Sequence, residues 1–315
     1  LNLFTPNGAP LLVGQQQAVL STAADPADPS RVALRLTTGA TTQWLDEGAL
    51  GGGSLAGTLR FRDGDLASTA AQLGRLAYGM ASQLNAQQAL AVDASGAPGQ
   101  PLFTFGDPVS HPHAGNNSAI TMEASVADAT LLRASDYPVS WDGAAYQVTR
   151  LSDQHSFPAG ALPATFDGLN FEPSGTPAAG DSWLVQPFEQ VASSLRARPL
   201  APAQLATGYA AMPQPGTDNT GSARIGSFAV LSAGAQNTQA VAITFNDPPT
   251  SFNVTGVAGV PGGTLTNVAY TPGEPIDYNG WRLTLDGNAA AGRRLDIPRT
   301  TSPAARHPNA LAPGR

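Results

Sequence analysis

One long helical segment, between residues 51 and 87, constrains this chain more than any other feature. Apolar residues recur there at seven-residue intervals, and others lie four positions after members of that series. Such spacing places the side chains on one face of a helix. The sequence therefore predicts an apolar seam that packs on a partner helix, with an ordinary amphipathic helix on a local sheet as the alternative. The seam comprises Leu59, Leu66, Ala70, Leu73, Ala77, Met80 and Leu84.

The ends of this helix are predicted from its flanking residues. Ser54 is expected at the N-cap, because its hydroxyl can accept hydrogen bonds from first-turn amides. The helix should run to about Ala91, with the Asp-Gly-Asp sequence at 63–65 as a break or a new cap inside it. Residues 93–99 have the composition of a linker.

Most of the remaining chain is predicted to be β structure. Short apolar runs between turn clusters indicate strands, and Asp142-Gly143 indicates a hairpin because glycine accepts a positive φ. Between the two β-rich blocks lies a connector with one short helix expected near residues 203–209. The predicted strands are 1–5, 10–13, 18–21, 31–37, 119–126, 137–141, 145–151, 169–172, 183–186, 228–231, 240–245, 251–255, 281–285 and 295–297.

The predicted fold class is α+β and mainly β, with hairpins and one helix followed by two β domains. A chain of 315 residues is too long for one comfortable core. The expected divisions are residues 1–100 for the hairpins and helix, 101–195 for the first β domain, 196–219 for the connector, 220–298 for the second β domain, and 299–315 for an irregular tail.

The two β blocks share an internal repeat. The sequence from Asp167 through Gly175 to Gly180 matches the sequence from Asn279 through Gly287 to Gly292 at one constant offset, with an Ala-Ala pair before each last glycine. Three glycines in register are hard to obtain by chance, so we predict a duplicated β module. The repeat is broken after the last glycine, because Asp181 follows it in the first block and Arg293 follows it in the second.

Composition excludes several classes of function. The chain has no cysteine, so it forms no disulfides and offers no thiol nucleophile. Its formal charge is −7 and its pI is about 4.9, and it shows no basic patch of the kind that binds nucleic acid. It contains no apolar run long enough to span a membrane.

Chemical motifs are sparse. His111 and His113 beside Asp107 could be offered as a zinc site, but the proline between the histidines and the surrounding polar residues favour a solvated loop. Ser54 lacks the G-x-S-x-G context of a hydrolase nucleophile, and the glycines at 51–53 lack the Gly-Lys-Ser/Thr of a phosphate-binding loop. The carboxylates Asp128, Asp136 and Glu172 form no motif. We therefore predict no catalytic, cofactor or metal site and no enzyme activity.

Several segments resemble the flagellar hook-associated protein 1 family (FlgK). The strongest likeness runs from the glycines at 51–53 through the helix to the Asp-Ala-Ser-Gly-Ala-Pro-Gly sequence at 93–99. Further likeness lies at 136–143, 149–153 and 174–187, and it fades after Gly292. The proline-rich residues 303–315 cannot continue into the long returning helix of that family. The chain thus resembles a central fragment without the terminal helical regions.

This resemblance implies a structural role at the junction between hook and filament. It implies that the first 100 residues are part of a helical-bundle domain and that the two β domains project outward. The implied partners are further copies of the protein in a ring, the flagellar hook protein, hook-associated protein 3, and an export chaperone that binds a C-terminal region absent here. The implied location is extracellular, after flagellar type III export without a cleaved signal.

Two other classes of function remain open on the sequence alone. A cell-surface adhesin or carbohydrate-binding module could use an exposed aromatic platform, although two of its candidate residues flank a hairpin and are expected in a core. A secreted hydrolase would need a clustered nucleophile, base and orienting group. The candidate platform residues are Trp141, Tyr146, Trp183 and Trp281.

Overall fold

The structure is a computed structural model that describes residues 2–5, 8–45, 47–217 and 219–300. The chain forms two compact units. The first contains residues 1–80 and 105–195, and the second contains residues 81–104 and those from 196 onward. The predicted irregular tail lies outside the described residues from position 301. As predicted, the fold is mainly β with one long helix.

Two small antiparallel sheets form the N-terminal part of the first unit. One has the strand order β1-β2-β3 and the other β4-β5-β6. The loop between β4 and β5 contains Pro26 and Pro29, which lack the backbone N–H that a strand ladder needs. The strands are β1 (Asn2–Phe4), β2 (Pro10–Val13), β3 (Gln16–Gln17), β4 (Val19–Ala24), β5 (Val32–Thr38) and β6 (Thr41–Leu45).

The helical segment consists of α1 (Glu47–Leu50), α2 (Gly53–Arg60), a π-helical turn over Phe61–Leu66, and α3 (Ala67–Ala89). The predicted break at 63–65 is this π-helical turn. The prediction of Ser54 as N-cap was wrong, because α2 begins at Gly53 and its N-cap is Gly52, which lies two residues before Ser54 and has a φ of 151° that suits glycine. Ala91 was wrongly included in the helix, since it lies in the short strand β7 (Ala91–Val92).

A β module of two antiparallel sheets completes the first unit and is called the first β module here (residues 109–186). It follows the short strand β8 (Phe103–Thr104) of the second unit. Its five-stranded sheet has the order β13-β12-β11-β16-β9 and its three-stranded sheet the order β10-β15-β14. The strands are β9 (Val109–Pro112), β10 (Met122–Val126), β11 (Tyr137–Trp141), β12 (Tyr146–Arg150), β13 (His155–Gly160), β14 (Ala164–Phe166), β15 (Leu169–Pro173) and β16 (Ser182–Gln186).

One core lies between these two sheets. It takes Tyr137, Val148 and Trp183 from the five-stranded sheet and Leu169 and Phe171 from the three-stranded sheet. All five side chains are at most 2 % exposed, and their alternation along each strand accounts for the period of two in the sequence. The short helix α4 (Val191–Ser194) follows β16.

The connector after α4 is more ordered than predicted. In place of the helix expected near 203–209, it contains a 3₁₀ turn at Pro202–Gln204 and the strand β18 (Gly208–Tyr209), which pairs with β7. The strand β17 (Arg196–Ala197) pairs with β8. A backbone that pairs with β7 in this way cannot also form a helix.

The second β module (residues 214–297) repeats the arrangement of the first. Its sheets have the orders β19-β26-β21-β22-β23 and β20-β25-β24, so all eight strands have a counterpart at the same place. The strands are β19 (Gln214–Pro215), β20 (Arg224–Val230), β21 (Val241–Phe245), β22 (Ser251–Thr255), β23 (Thr264–Ala269), β24 (Ile276–Tyr278), β25 (Trp281–Asp286) and β26 (Arg294–Ile297).

Equivalent turns carry equivalent hydrogen bonds in the two modules. Asp167-Gly168 and Asn279-Gly280 all have positive φ values, between 45° and 79°. The Gly168 carbonyl accepts from two consecutive amides, those of residues 127 and 128, and the Gly280 carbonyl likewise accepts from those of residues 231 and 232. The predicted duplication is therefore confirmed at the level of strand order and turn geometry.

A second pair of equivalent contacts was not predicted. Asn116 makes two hydrogen bonds of 2.9 Å with the backbone N–H and C=O of Ser182. Asn219 makes the same two bonds with Arg294, at 2.7 and 2.6 Å. Each asparagine thus holds the start of the last strand of its module. No local sequence signal links residues that are so far apart in the chain.

Candidate assembly surface

Within the first unit, one side of helix α3 packs on the core of the first β module and on residues that flank the module. A Cβ added to Gly74 would lie 2.7 Å from Cβ of Phe188, so the absence of a side chain permits this close approach. One turn later, the Tyr78 ring meets Phe105 and Phe188 at centroid distances of 5.0 and 6.5 Å. Small and aromatic residues on this side therefore fix the helix against the module.

A second side of the same helix is apolar and exposed. Leu73 lies next to Gly74 in sequence and is therefore rotated about 100° from it on the helix. It is 58 % exposed, and the most exposed member of the surface is 69 % exposed. We call this surface the apolar stripe; its members are Leu66, Leu73, Leu76 and Met80.

The seam predicted from the sequence is divided in the structure. Leu59 is 8 % exposed and lines a groove with Leu34 and Trp44 of the N-terminal strands, whereas Leu66 and Leu73 are exposed. The π-helical turn begins two residues after Leu59 and ends at Leu66. It has more residues per turn than an α-helix, so it rotates the following residues about the helix axis relative to Leu59. Of the other predicted members, Ala70 and Met80 are exposed, and Ala77 and Leu84 are half-buried.

Leu76 was missing from the predicted seam because it falls outside the seven-residue series. The structure adds it to the apolar stripe, where it is the most exposed large apolar side chain. Arg62 fixes the helix just before the stripe, since its Nη1 donates to the carbonyl oxygen of Val32 at 2.6 Å. The N-terminal strands are therefore attached at the π-helical turn and cover Leu59.

The structure does not assemble the candidate catalytic residues from the sequence. Asp128 accepts hydrogen bonds from Thr130 in the loop after β10, Asp136 is half-buried beside Gln186, and Glu172 is paired with Glu123 across β15 and β10. Ser54 lies inside α2. These four residues are on separate elements.

The histidine candidates are also separated. His113 turns back on its own loop, where its Nδ1 accepts from the Gly115 amide at 3.0 Å, and Asp107 lines a groove beside Tyr78. His111 instead lies near Asp28 and Glu189, which the sequence analysis did not single out.

The candidate aromatic platform is mostly buried. Trp183 and Trp281 are 2 % and 1 % exposed, and each is part of the core of its module. Tyr146 is also buried and packs against the half-buried Trp141 at a centroid distance of 4.5 Å with the planes tilted by 46°. These residues therefore stabilise cores, and they do not present coplanar rings to a sugar.

A contiguous apolar helix face that is exposed to solvent is typical of a structural protein that assembles with other chains. Comparison with known proteins agrees with this class. A family model described as the flagellar hook-associated protein FlgK helical domain matches residues 1–103, and one described as the flagellar hook-associated protein 1, D2-like domain matches residues 112–187. The chain belongs to the flagellar hook-associated protein 1 family.

Individual relatives support this membership. The chain is 35 % identical to flagellar hook-associated protein 1 of Escherichia coli over 190 residues, which is 59 % of this chain and 35 % of the relative. It is 31 % identical to that of Salmonella typhimurium over 261 residues, which is 78 % of this chain and 45 % of the relative. The chain thus spans less than half the length of either relative.

A solved structure shows the same fold over the chain. The flagellar hook junction protein FlgK from Burkholderia pseudomallei is similar with a TM-score of 0.82 and 29 % sequence identity, covering 99 % of this chain and 63 % of that one. These relatives are structural proteins of the flagellum. Among the residues that the structure describes, no helix is both long and apolar enough to cross a lipid bilayer.

Proposed function

We propose that this chain acts as a structural adaptor at the junction between the flagellar hook and filament, and that the apolar stripe is a surface through which it assembles. The observation that carries the proposal is the exposure of three leucines and a methionine along the π-helical turn and α3 in a member of this family. Burial of a large aliphatic side chain stabilises by about 1.5–3 kcal/mol. Covering this stripe would therefore contribute substantially to assembly.

The occupant of the stripe is a helix of the assembled junction. Its members are spaced by three, four and seven residues, which matches the spacing by which two helices interdigitate their side chains. Further copies of the protein, the flagellar hook protein and hook-associated protein 3 are the proposed partners at the junction. Export through the flagellar type III channel, with the help of a chaperone, would deliver the protein to an extracellular position on the flagellum.

The β modules have a different role in this proposal. We assign residues 101–195 and 220–298 to two β domains that project from the junction, and residues 1–100 to the part that packs with other helices. The work of the protein is mechanical, and no bond chemistry is assigned to it. Support comes from the buried positions of the aromatic residues and the separate positions of the candidate catalytic residues.

A chimera tests the proposal. The matching region of Salmonella typhimurium hook-associated protein 1 is replaced by this chain's sequence, and swimming is measured in a strain that lacks its own protein. We expect the chimera to restore motility and the double substitution Leu73→Asp and Leu76→Asp to abolish it. Leu231→Asp, at a residue 51 % exposed in the second β module, is the matched control.

Secretion separates two causes of failure in this experiment. If the doubly substituted chimera reaches the medium but the cells stay non-motile, the defect lies in assembly. If that chimera restores full motility, the apolar stripe has no role at the junction and the proposal is overturned.

A further inference from the structure

A cluster of two carboxylates and an imidazole lies where the loop between β4 and β5 meets β9. His111 Nε2 is 3.2 Å from Glu189 Oε2, and one potential ligand atom from each of Asp28, His111 and Glu189 lies within 4.8 Å of the other two. The loop is held in place by the Ala114 amide, which donates to the Pro26 carbonyl oxygen at 2.7 Å. Three potential metal ligands from distant parts of the sequence are thus brought together inside the first unit.

The five-stranded sheet positions this cluster. His111 is paired with Leu184 between β9 and β16, and Gln186 is two residues further along the same strand. Since side chains alternate across a strand, Gln186 is on the same face as His111, opposite the core residue Val185. Gln186 Nε2 donates to Asp136 Oδ2 at 3.0 Å, which places a third carboxylate at this face.

Negative charge exceeds positive charge here. Asp28, Asp136 and Glu189 share this region with the guanidinium of Arg31, whose Nε is 2.9 Å from Asp28 Oδ2, and Asp28 also interacts with the charge of Arg62. A bound cation would balance this excess.

Two buried oxygen atoms supply an independent indication of a ligand. Asp28 and Gln186 are each only 3 % exposed. Within the described part of the chain, Asp28 Oδ2 and Gln186 Oε1 have no hydrogen-bond donor, and the Arg31 ion pair lacks hydrogen-bond geometry. Buried acceptors are almost always satisfied, and an ion is one of the few partners that can satisfy them.

We propose that Asp28, His111 and Glu189 bind one divalent transition-metal cation, for which Zn²⁺ is the best fit. One imidazole nitrogen and two carboxylate oxygens form a ligand set that suits zinc, whereas Mg²⁺ and Ca²⁺ prefer oxygen alone. Gln186 Oε1 or a water molecule would complete four-fold coordination. Arg31 would remain beside Asp63, whose Oδ1 is 3.6 Å from its Nη1.

The cation would fasten the N-terminal strands to the first β module. Its ligands come from the loop after β4, from β9 and from the segment after β16, so binding stabilises the arrangement of these three segments. This proposal departs from the sequence analysis, which predicted no metal site, and it differs from the His111–His113 pair considered there.

Zinc titration of the full 315-residue chain by calorimetry, with thermal unfolding in parallel, tests the proposal. We expect one Zn²⁺ per chain and a higher unfolding temperature when zinc is present. His111→Ala should weaken binding by at least about tenfold, and Glu189→Gln, which keeps the shape of the side chain, should weaken it as well. His113→Ala is the matched control and should bind as the unsubstituted chain does.

Four results would overturn the proposal. These are absence of stoichiometric zinc binding, unchanged binding after both His111→Ala and Glu189→Gln, loss of binding after His113→Ala, and displacement of zinc by millimolar Mg²⁺. Circular dichroism of each variant without zinc verifies that it is folded. If His111→Ala fails to fold, the near-isosteric Glu189→Gln variant decides the outcome.

Discussion

The two β modules share one strand order but differ in the charged residue that each buries at its closing turn. Both place a Gly-containing turn before the central strand of the three-stranded sheet, and both fix the last strand with an asparagine. At the closing turn, however, the first module buries Asp181 and the second buries Arg293. The backbone geometry of the turns is therefore the same in both modules, while a buried carboxylate in the first is replaced by a buried guanidinium in the second.

The two buried charges satisfy opposite backbone groups. Asp181 accepts hydrogen bonds from the amides of Asn117 and Ala178 and from the Ser118 hydroxyl. Arg293 instead donates to the carbonyl oxygens of two residues before β20, Thr220 and Ala223. Each charge thus connects the closing turn to the segment before the three-stranded sheet. This exchange is at the position where the sequence repeat is broken.

The largest expected difference between the modules is in the destabilisation caused by replacing the equivalent glycines, Gly168 and Gly280, with alanine. A Cβ at Gly168 would overlap the backbone carbonyl oxygen of Asp128, whereas a Cβ at Gly280 would meet mainly the side chains of Asn237 and Ser232, which can move. Both positions have positive φ, which costs about 1–2 kcal/mol for alanine. Gly280→Ala should therefore destabilise its module by roughly this amount, and Gly168→Ala should destabilise its module clearly more.

Hydrogen exchange of peptides from each module measures these two effects in one intact chain. The peptides from β11 and β16 report on the first module, and those from β21 and β26 report on the second. Equal loss of protection for the two variants would show that a Cβ is equally restricted at both glycines, and the predicted greater destabilisation by Gly168→Ala would be wrong.

The exchanged charges predict a difference in pH dependence. The Ser118 hydroxyl, followed by backbone amides, lowers the pKa of Asp181 below its ordinary value. A carboxyl with a lowered pKa in the folded state stabilises the fold above its unfolded pKa, and this stabilisation is lost as the pH falls through the folded value. Asp181→Asn should therefore destabilise the first module at pH 7, and the loss should shrink below about pH 4.

Arg293→Leu is the matched change in the second module. It leaves the carbonyl oxygens of Thr220 and Ala223 without their donor, and a guanidinium keeps its charge throughout this pH range. The destabilisation should be the same at pH 3.5 as at pH 7, within about 0.5 kcal/mol. Chemical denaturation followed by hydrogen exchange at the two pH values measures the destabilisation in both variants. If the destabilisation changed with pH in the same way for Asp181→Asn and Arg293→Leu, the prediction would be wrong.

The smallest expected difference concerns the buried indoles. Trp183 Nε1 donates to the Ile120 carbonyl oxygen at 3.0 Å, whereas Trp281 Nε1 is buried with no acceptor among the described residues. Trp183→Phe should therefore cost about 0.5–1.5 kcal/mol more than Trp281→Phe, the net value of one hydrogen bond. Equilibrium denaturation of both variants measures the difference, and a greater cost for Trp281→Phe would contradict it.

The sequence predicted the central strands of both modules and missed several edge strands. β11 and β22 were predicted with the observed ends, because their apolar side chains alternate between a core and solvent. β9, β13 and β19 were not predicted. They are at sheet edges, where one side needs no ladder partner, so they tolerate Pro112, Pro158 and Pro215 and give no apolar run.

Functional geometry was less predictable than the strands. The repeat was visible because its turns demand glycine, but the exchange of Asp181 for Arg293 gave no clue to their shared position. Leu76 was missed because it falls outside the seven-residue series, although it lies three residues after Leu73 and four before Met80 on the same helix face. The cluster of Asp28, His111 and Glu189 depends on contacts between residues about 80 positions apart, and no local pattern reports such contacts.

Cysteine labelling tests directly whether the apolar stripe becomes buried at the flagellar junction. The chain has no cysteine, so Leu73→Cys and the control Leu231→Cys can each be introduced alone into a cysteine-free chimera. Both should react rapidly with a maleimide in the isolated chain, because the replaced residues are 58 % and 51 % exposed. In purified flagella, Leu73→Cys should be protected while Leu231→Cys still reacts. Equally rapid reaction of Leu73→Cys in the isolated chain and in flagella would contradict the account.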